Sequence, residues 1–155
     1  VPMKPSDTPQ SDSGITTDDT IKVTFAEPQP DNGGSPIISY ELVMDDGMSG
    51  NFTSLVGLNA NSLLTEFTVF SEILKGRRHR FKYRAKNVVG WGPYSDDSYV
   101  LAATVPDRAA RPYFLSFANE ELSIVIPRSL DNGGTPISSY ELWVDDGDDF
   151  TSDFH

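Results

Sequence analysis

The sequence contains no cysteine and only two histidines, His79 and His155. The absence of cysteine excludes a disulfide framework, thiolate zinc sites and cysteine nucleophiles. Two histidines do not make a His-rich metal site or a histidine-based triad. There is also no nucleophile elbow, phosphate loop or dinucleotide fingerprint. We therefore expect no enzyme activity, no catalytic residue, no cofactor and no established metal site.

Basic residues are also scarce. The 12 lysines and arginines are outnumbered by 23 aspartates and glutamates, which gives a formal net charge of -11. Nucleic acids and anionic membranes attract a cationic surface, so this balance argues against nucleic acid as a partner. No apolar run approaches the roughly 20 residues that a membrane helix needs, and we expect no membrane insertion. The segment 1–5 lacks the apolar core of a signal peptide.

An internal repeat is the most informative feature of the chain. Residues 31–47 recur at 131–147, an offset of 100 residues, and Val1-Pro2 recurs as Val105-Pro106. The two long segments differ only at Ser35/Thr135, Ile38/Ser138, Val43/Trp143 and Met44/Val144. The repeat predicts one complete domain at 1–104 and a truncated second domain at 105–155, the latter containing the first three strands and the start of a fourth.

Apolar residues alternate with polar ones in several short segments. Examples are Ile21, Val23 and Phe25 in the first unit and Leu122, Ile124 and Ile126 in the second. Tyr40, Leu42, Met44, Phe67, Val69, Phe81, Tyr83 and Ala85 follow the same rule. A period of two residues predicts β-strands, and glycine- and proline-rich turns separate them. No helical period is sustained, so the pattern predicts an all-β antiparallel sandwich.

Two segments resemble the fibronectin type III domain. The segment 23–42 resembles the family's second and third strands, with Phe25 where the family usually has tryptophan. The segment 73–95 resembles the turn, long strand and loop near the family's carboxyl end, with His79 where a conserved corner tyrosine usually stands. A looser similarity connects the basic strand and the Gly-Trp-Gly-Pro loop with repeats of very large surface proteins of single-celled eukaryotes. The resemblance implies an immunoglobulin-like sandwich that acts as a spacer or recognition scaffold.

A basic stripe lies within the second of these segments. Arg80, Lys82, Arg84 and Lys86 would share one face of a strand, opposite Phe81, Tyr83 and Ala85. Three interpretations are open. Glu41 of a neighbouring strand could pair with the stripe. A neighbouring acidic unit could dock on it, because the second unit carries ten acidic residues and only three basic ones. A sulfated glycan or another external anion could bind it.

Three smaller features are candidates for binding or modification. Trp91, between two glycines, either contacts a partner or folds back on the arginine stems of the strand. Asn51-Phe52-Thr53 is an N-glycosylation pattern, which makes Asn51 a candidate glycosylation site. Asp145, Asp146, Asp148 and Asp149 form a weak calcium candidate, although their spacing does not match an EF-hand loop and a solvated turn also favours such residues.

The truncated second unit would leave Leu122, Ile124, Ile126, Tyr140 and Leu142 without the strands that cover them. Either the sequence is a slice of a longer array, or another chain completes the unit by strand addition. We expect a structural spacer in a large extracellular or cell-surface multi-repeat protein, packing with copies of itself or adjacent repeats in a fibre or surface coat. One alternative is an adhesion or receptor-type binding module that uses the basic strand and Trp91. Another is an intracellular filament or ciliary scaffold.

Overall fold

The computed structural model describes residues 1–25 and 32–145, and all statements below concern these residues. They contain ten β-strands and no helix. The strands are β1 (Gln10–Ser11), β2 (Ile21–Thr24), β3 (Ser39–Asp45), β4 (Phe52–Val56), β5 (Glu66–Val69), β6 (Arg78–Asn87), β7 (Gly90–Trp91), β8 (Ser98–Leu101), β9 (Tyr113–Ala118) and β10 (Glu121–Val125).

Strands β1 to β8 form two antiparallel sheets. The first has the order β1-β2-β5, and the second has the order β4-β3-β6-β7, with β8 also paired to β6. The predicted alternation is present, because Ile21 and Val23 of β2 and Phe81 and Tyr83 of β6 are all buried. An all-β sandwich is thereby confirmed.

The core of the first unit closes on itself. Every member of the buried hydrophobic cluster lies between Ile21 and Ala102, and the ring of Phe25 lies 5.0 Å from that of Tyr83. Phe25 also meets Tyr40 edge-on at 6.2 Å. Such aromatic contacts add about 0.5–1.5 kcal/mol each beyond the burial of their area. The first unit therefore has the core that an independently folding domain needs.

The second unit differs. Strands β9 and β10 form a hairpin whose two-residue turn, Asn119 and Glu120, has positive φ at both positions, as a type I′ turn requires. Its apolar side chains are exposed; Phe117 and Leu122, for example, are 65% and 62% accessible. The apolar exposure predicted for this unit is thus present at Leu122, Ile126, Tyr140 and Leu142, while Ile124 is half-buried.

One predicted strand is missing. Tyr140 and Leu142 were expected in a third strand of the second unit, by analogy with Tyr40 and Leu42 of β3, but residues 136–144 form no strand. The reason is the lack of a partner. Strand β3 is held between β4 and β6, whereas no described strand pairs with residues 136–144.

Candidate functional site: the basic face and the unit junction

Strand β6 carries the basic stripe on its outer face. Arg80, Lys82, Arg84 and Lys86 are half-buried, and the alternate residues of the strand are buried in the core. Three aromatic side chains, Phe52, Trp91 and Tyr94, lie over the same face. We call these seven residues the cation–aromatic face.

Two carboxylates of β3 lie beneath the arginines. Strand register places Glu41 opposite Arg84, and Arg84 Nε donates to Glu41 Oε2 at 2.6 Å. Tyr94 Oη donates to the same oxygen at 2.9 Å. Burial raises the pKa of Tyr94 to about 12, and the hydrogen bond to Glu41 adds to that rise. Glu41 is 2% exposed, so this charge is buried with its partners in place.

Asp45 forms the second pair. Its carboxylate accepts hydrogen bonds from Arg80 Nε at 2.7 Å and from the backbone N–H groups of Arg80 at 2.8 Å and Gly47 at 3.1 Å. Burial works to raise the pKa of Asp45, but the hydrogen bonds from Arg80 and Gly47 outweigh it and hold that pKa below its usual value. Asp45 therefore fixes both the end of β3 and the start of the turn that follows.

Aromatic rings also lie against the basic side chains of the stripe. Lys82 Nζ lies 3.8 Å from the ring centre of Phe52 and 5.1 Å from that of Tyr94. Arg84 Cζ lies between Trp91, at 4.7 Å, and Tyr94, at 4.4 Å. Each such cation–π contact contributes about 0.5–1 kcal/mol at a partly exposed site. Trp91 is half-buried against the strand, so the structure places it in the folded-back position rather than projecting from its loop.

The two lysines are held differently from the two arginines. Among the described carboxylates, none forms an ion pair with Lys82 or Lys86, whereas Arg80 and Arg84 each have a carboxylate partner in β3. Lys86 Nζ lies 5.3 Å from the ring of Trp91. The arginines thus brace the fold through carboxylates of β3, and the two lysines contact aromatic rings instead.

His79 occupies the corner position and forms its own hydrogen bonds. The ring is fully buried; its Nε2 accepts the backbone N–H of Leu74 at 3.0 Å, and its Nδ1 faces the carbonyl oxygen of Asp45 at 3.2 Å. Nε2 must be unprotonated to accept, so the proton lies on Nδ1 and is donated to Asp45. The histidine thereby bridges the turn before β6 and the end of β3, a structural use of the side chain.

The other candidates lie apart from this face. Asn51 is exposed immediately before β4, an accessible place for a glycan. Asp145 is exposed, and the other calcium candidates, Asp146, Asp148 and Asp149, lie outside the described residues. Within 1–25 and 32–145 no group of three or more acidic or histidine side chains is arranged to hold a metal ion. The same ranges contain no helix able to cross a membrane.

The junction between the units is a second ordered region. Lys75 Nζ lies 2.6 Å from Asp18 Oδ2 in the first unit and 2.7 Å from Asp131 Oδ1 in the second. Hydrogen bonds to Asp131 and Asp18 raise the pKa of Lys75 to about 12. The backbone N–H of Thr104 donates to the carbonyl of Gly133 at 2.8 Å. An ion pair and a backbone bond therefore connect the end of one unit with a loop of the next.

The two units of the chain also approach each other closely at two glycines, Gly76 and Gly134. A Cβ atom on Gly134 would lie 2.9 Å from the backbone nitrogen of Gly76, and one on Gly76 would lie 2.4 Å from the carbonyl oxygen of Gly134. Both residues have positive φ, 94° and 75°. The glycines allow the turn before β6 to lie against the loop after β10.

Sequence reasoning found the stripe and offered Glu41 as a partner, which the structure places beside Arg84, but it missed Asp45 and the junction. Asp45 directly precedes a turn, and nothing in the local sequence shows that its carboxylate reaches Arg80. The register of β3 against β6 would have placed Glu41 opposite Arg84 and Met44 opposite Phe81. No local pattern in the sequence pairs Lys75 with Asp131, because 56 positions separate them.

Comparison with known proteins supports the fold. No family model matches the chain. A fibronectin type-III domain-containing protein 3a of Gallus gallus is 31% identical over 125 residues, 79% of this chain. The chain spans about a tenth of the length of that protein, since the match covers 10% of it.

Solved structures agree. The sixth fibronectin type III domain of the human fibronectin type III domain containing protein 3 aligns with a TM-score of 0.54 and 17% identity, covering 70% of this chain and 93% of that one. Domains A168–A170 of titin align with a TM-score of 0.50 and 19% identity, covering 63% of this chain and 32% of that one. These proteins are modular, and no enzyme family is indicated. Taken with the sheet order, the comparisons establish that this chain has the fibronectin type III fold.

Proposed function

We propose that this chain is a non-catalytic structural segment of a large protein built from fibronectin type III repeats. Successive units pack end to end, and their junctions set the geometry of an extracellular fibre or surface coat. The mechanism is architectural: the closed core supports each unit, and fixed contacts between units transmit orientation along the array.

One observation carries this proposal. The junction is built from specific contacts: the Lys75 ammonium group between Asp18 and Asp131, and the Thr104 backbone bonded to Gly133. A flexible tether between independent modules would need none of these. An ordered junction is what a spacer requires, because its length and direction are its function.

The relatives are consistent with repetition. The names of the matched human and titin structures specify a sixth domain and a run from A168 to A170, so both matched domains belong to multi-domain chains. The repeated segment at 31–47 and 131–147 supports the same organisation here.

The extracellular part of the proposal rests on Asn51. Its acceptor pattern is intact, and Asn51 is exposed immediately before β4. An intracellular filament or ciliary scaffold is the alternative location, in which Asn51 would carry no sugar.

The test is the intact mass of the polypeptide from its native source. We expect a mass many times 17.1 kDa, the mass of the present chain, with heterogeneity in sugar-sized steps. A sharp, unmodified large mass would reject the extracellular location and retain the array. A native mass near 17.1 kDa would overturn the array and leave completion of the second unit by another chain.

The second candidate function is a binding module for a sulfated glycan or an acidic protein. It is favoured by Lys82 and Lys86, which have aromatic rings rather than described carboxylates beside them. Replacing both by glutamate should abolish retention on a heparin column if the module binds such glycans. The matched control is Lys4→Glu with Lys22→Glu, which changes the net charge equally and lies off the cation–aromatic face. An equal loss of heparin retention in both double variants would indicate only a response to net charge.

A further inference from the structure

The two Asn-Gly-Gly loops have the same local structure. In each loop the second glycine donates its backbone N–H to the asparagine side chain at 3.0 Å, Gly34 to Asn32 and Gly134 to Asn132. The φ angles are also similar: 72° at Gly33 and 68° at Gly133. The loops are therefore equivalent in conformation as well as in sequence.

The chain leading into each unit contacts these loops in the same way. A Cβ on Gly33 would lie 2.1 Å from the carbonyl oxygen of Val1, and a Cβ on Gly133 would lie 2.1 Å from that of Thr104. Only glycine permits this approach at either position. The entry of the chain into the first unit thus repeats its entry into the second.

The outer sides of the two loops differ. The Gly134 position is covered by the backbone of Gly76, with a would-be Cβ 2.9 Å from its nitrogen. A Cβ on Gly34 would meet no described atom within 4 Å. The same shaped surface is therefore covered in the second copy, whereas no described residue covers it in the first.

On the basis of the array proposed above, we infer that the Asn32–Gly34 loop is a docking surface for a second fibronectin type III unit, which contacts it through a Lys-Gly turn equivalent to Lys75-Gly76. The occupant is identified by the junction itself, where that turn already lies on the equivalent loop. Units joined in this way repeat one relation, head to tail, and the array grows as a regular filament instead of closing on itself.

A tandem polypeptide tests this inference. Residues 1–104 are placed directly before the full chain, so that Thr104 precedes Val1 and the order Ala-Ala-Thr-Val-Pro of the natural junction is reproduced. The core of residues 1–104 closes without the second unit, so the added unit can fold alone. In a second version the added unit ends at Ala103, so that Val1 directly follows Ala103 and takes the place that Thr104 has in the natural junction.

Spin labels report both junctions, and the absence of native cysteine leaves no background labelling. The natural junction is measured between Val88→Cys and Ser123→Cys of the full chain. The engineered junction is measured between Val88→Cys of the added unit and Lys22→Cys of the full chain, because Lys22 and Ser123 hold equivalent positions in β2 and β10. We expect two narrow distance distributions with the same mean.

Two matched variants locate the contact. Gly34→Asn of the full chain should broaden only the engineered junction, and Gly134→Asn only the natural one; asparagine tolerates positive φ, so the loops keep their conformation. In the single chain, Gly34→Asn should leave the distance and the unfolding midpoint unchanged.

The outcomes separate the two proposals. A broad engineered junction in both linker versions, beside a narrow natural one, overturns the docking surface and leaves the structural role intact. Two broad distributions remove the ordered junction on which the proposed function itself depends.

Discussion

The two copies of one sequence segment adopt different structures in this chain. Ser39–Asp45 is a strand in which every residue is buried, whereas residues 139–144 form no strand and are exposed. Five of the seven residues of the strand are identical in the two copies. The difference shows that the segment forms a strand when β4 and β6 supply its backbone partners, and that its own composition is not sufficient.

The charged residues show the same contrast. Glu41 is enclosed by Arg84 and Tyr94, while Glu141 is exposed in the second unit. Burial of a carboxylate is tolerated only where its partners are in place, and β6 provides them in the first unit alone. The cation–aromatic face is therefore a property of the complete sandwich.

The largest expected effect comes from a matched pair in the core. Leu42→Ala should destabilise the first unit by about 2–5 kcal/mol, since Leu42 is fully buried and its removal leaves a cavity. Leu142→Ala should change the unfolding free energy of that unit by no more than about 0.5 kcal/mol, because Leu142 is 41% exposed. Urea unfolding followed by Trp91 fluorescence, in a Trp143→Phe background, measures both. Equal effects would contradict the difference in burial.

A smaller difference is expected between the paired glutamates. Glu41→Gln removes the charge that holds Arg84 Nε and should cost about 1.5–3 kcal/mol, the range for a hydrogen bond to a charged group. Glu141→Gln is the control and should leave the same unfolding midpoint unchanged. A loss of stability in both variants, or in neither, would show that the buried pair does not brace the sheets.

The two tryptophans sharpen the comparison further. Trp91→Ala removes the ring that contacts Arg84 and Lys86 and should destabilise the first unit by about 1–2 kcal/mol, from two cation–π contacts of about 0.5–1 kcal/mol each. Trp143→Ala should have no measurable effect on that unit, because Trp143 is 55% exposed. Thermal unfolding followed by circular dichroism checks both variants. Destabilisation by Trp143→Ala but not by Trp91→Ala would contradict the stabilising role of the Trp91 ring.

The smallest expected effect is a loss of folding stability that is absent at neutral pH and appears only in alkaline solution. Burial raises the pKa of Tyr83 and of Tyr94 to about 12, from an ordinary value of 10.0. The unfolded chain loses these protons first, so their contribution to stability is complete below about pH 10 and is lost as the pH rises to about 12. The urea midpoint of the parent chain should fall over this pH range, and the midpoint of the Tyr94→Phe variant should fall less. A Tyr94→Phe profile that parallels the parent chain would contradict the role of Tyr94.

Much of the first unit could be predicted from its sequence. Alternation at Ile21, Val23, Phe81 and Tyr83 indicated the strands and the face of each that is buried, because a strand has a period of two residues whatever its partner. The same rule placed Arg80 to Lys86 on one outer face. The strand expected at Tyr140 and Leu142 by analogy with Tyr40 and Leu42 was wrong, since a repeated segment still needs neighbouring strands.

The chain by itself thus determined the strand faces, the turns and the basic stripe, all of which follow from local backbone geometry and the spacing of apolar residues. Tertiary structure alone decided that Asp45 lies under Arg80, that Lys75 reaches Asp131, and that one copy of a repeated segment is a buried strand while the other is exposed. These depend on register and on partners distant in sequence, and the free energy of a strand or a buried charge comes mainly from those partners.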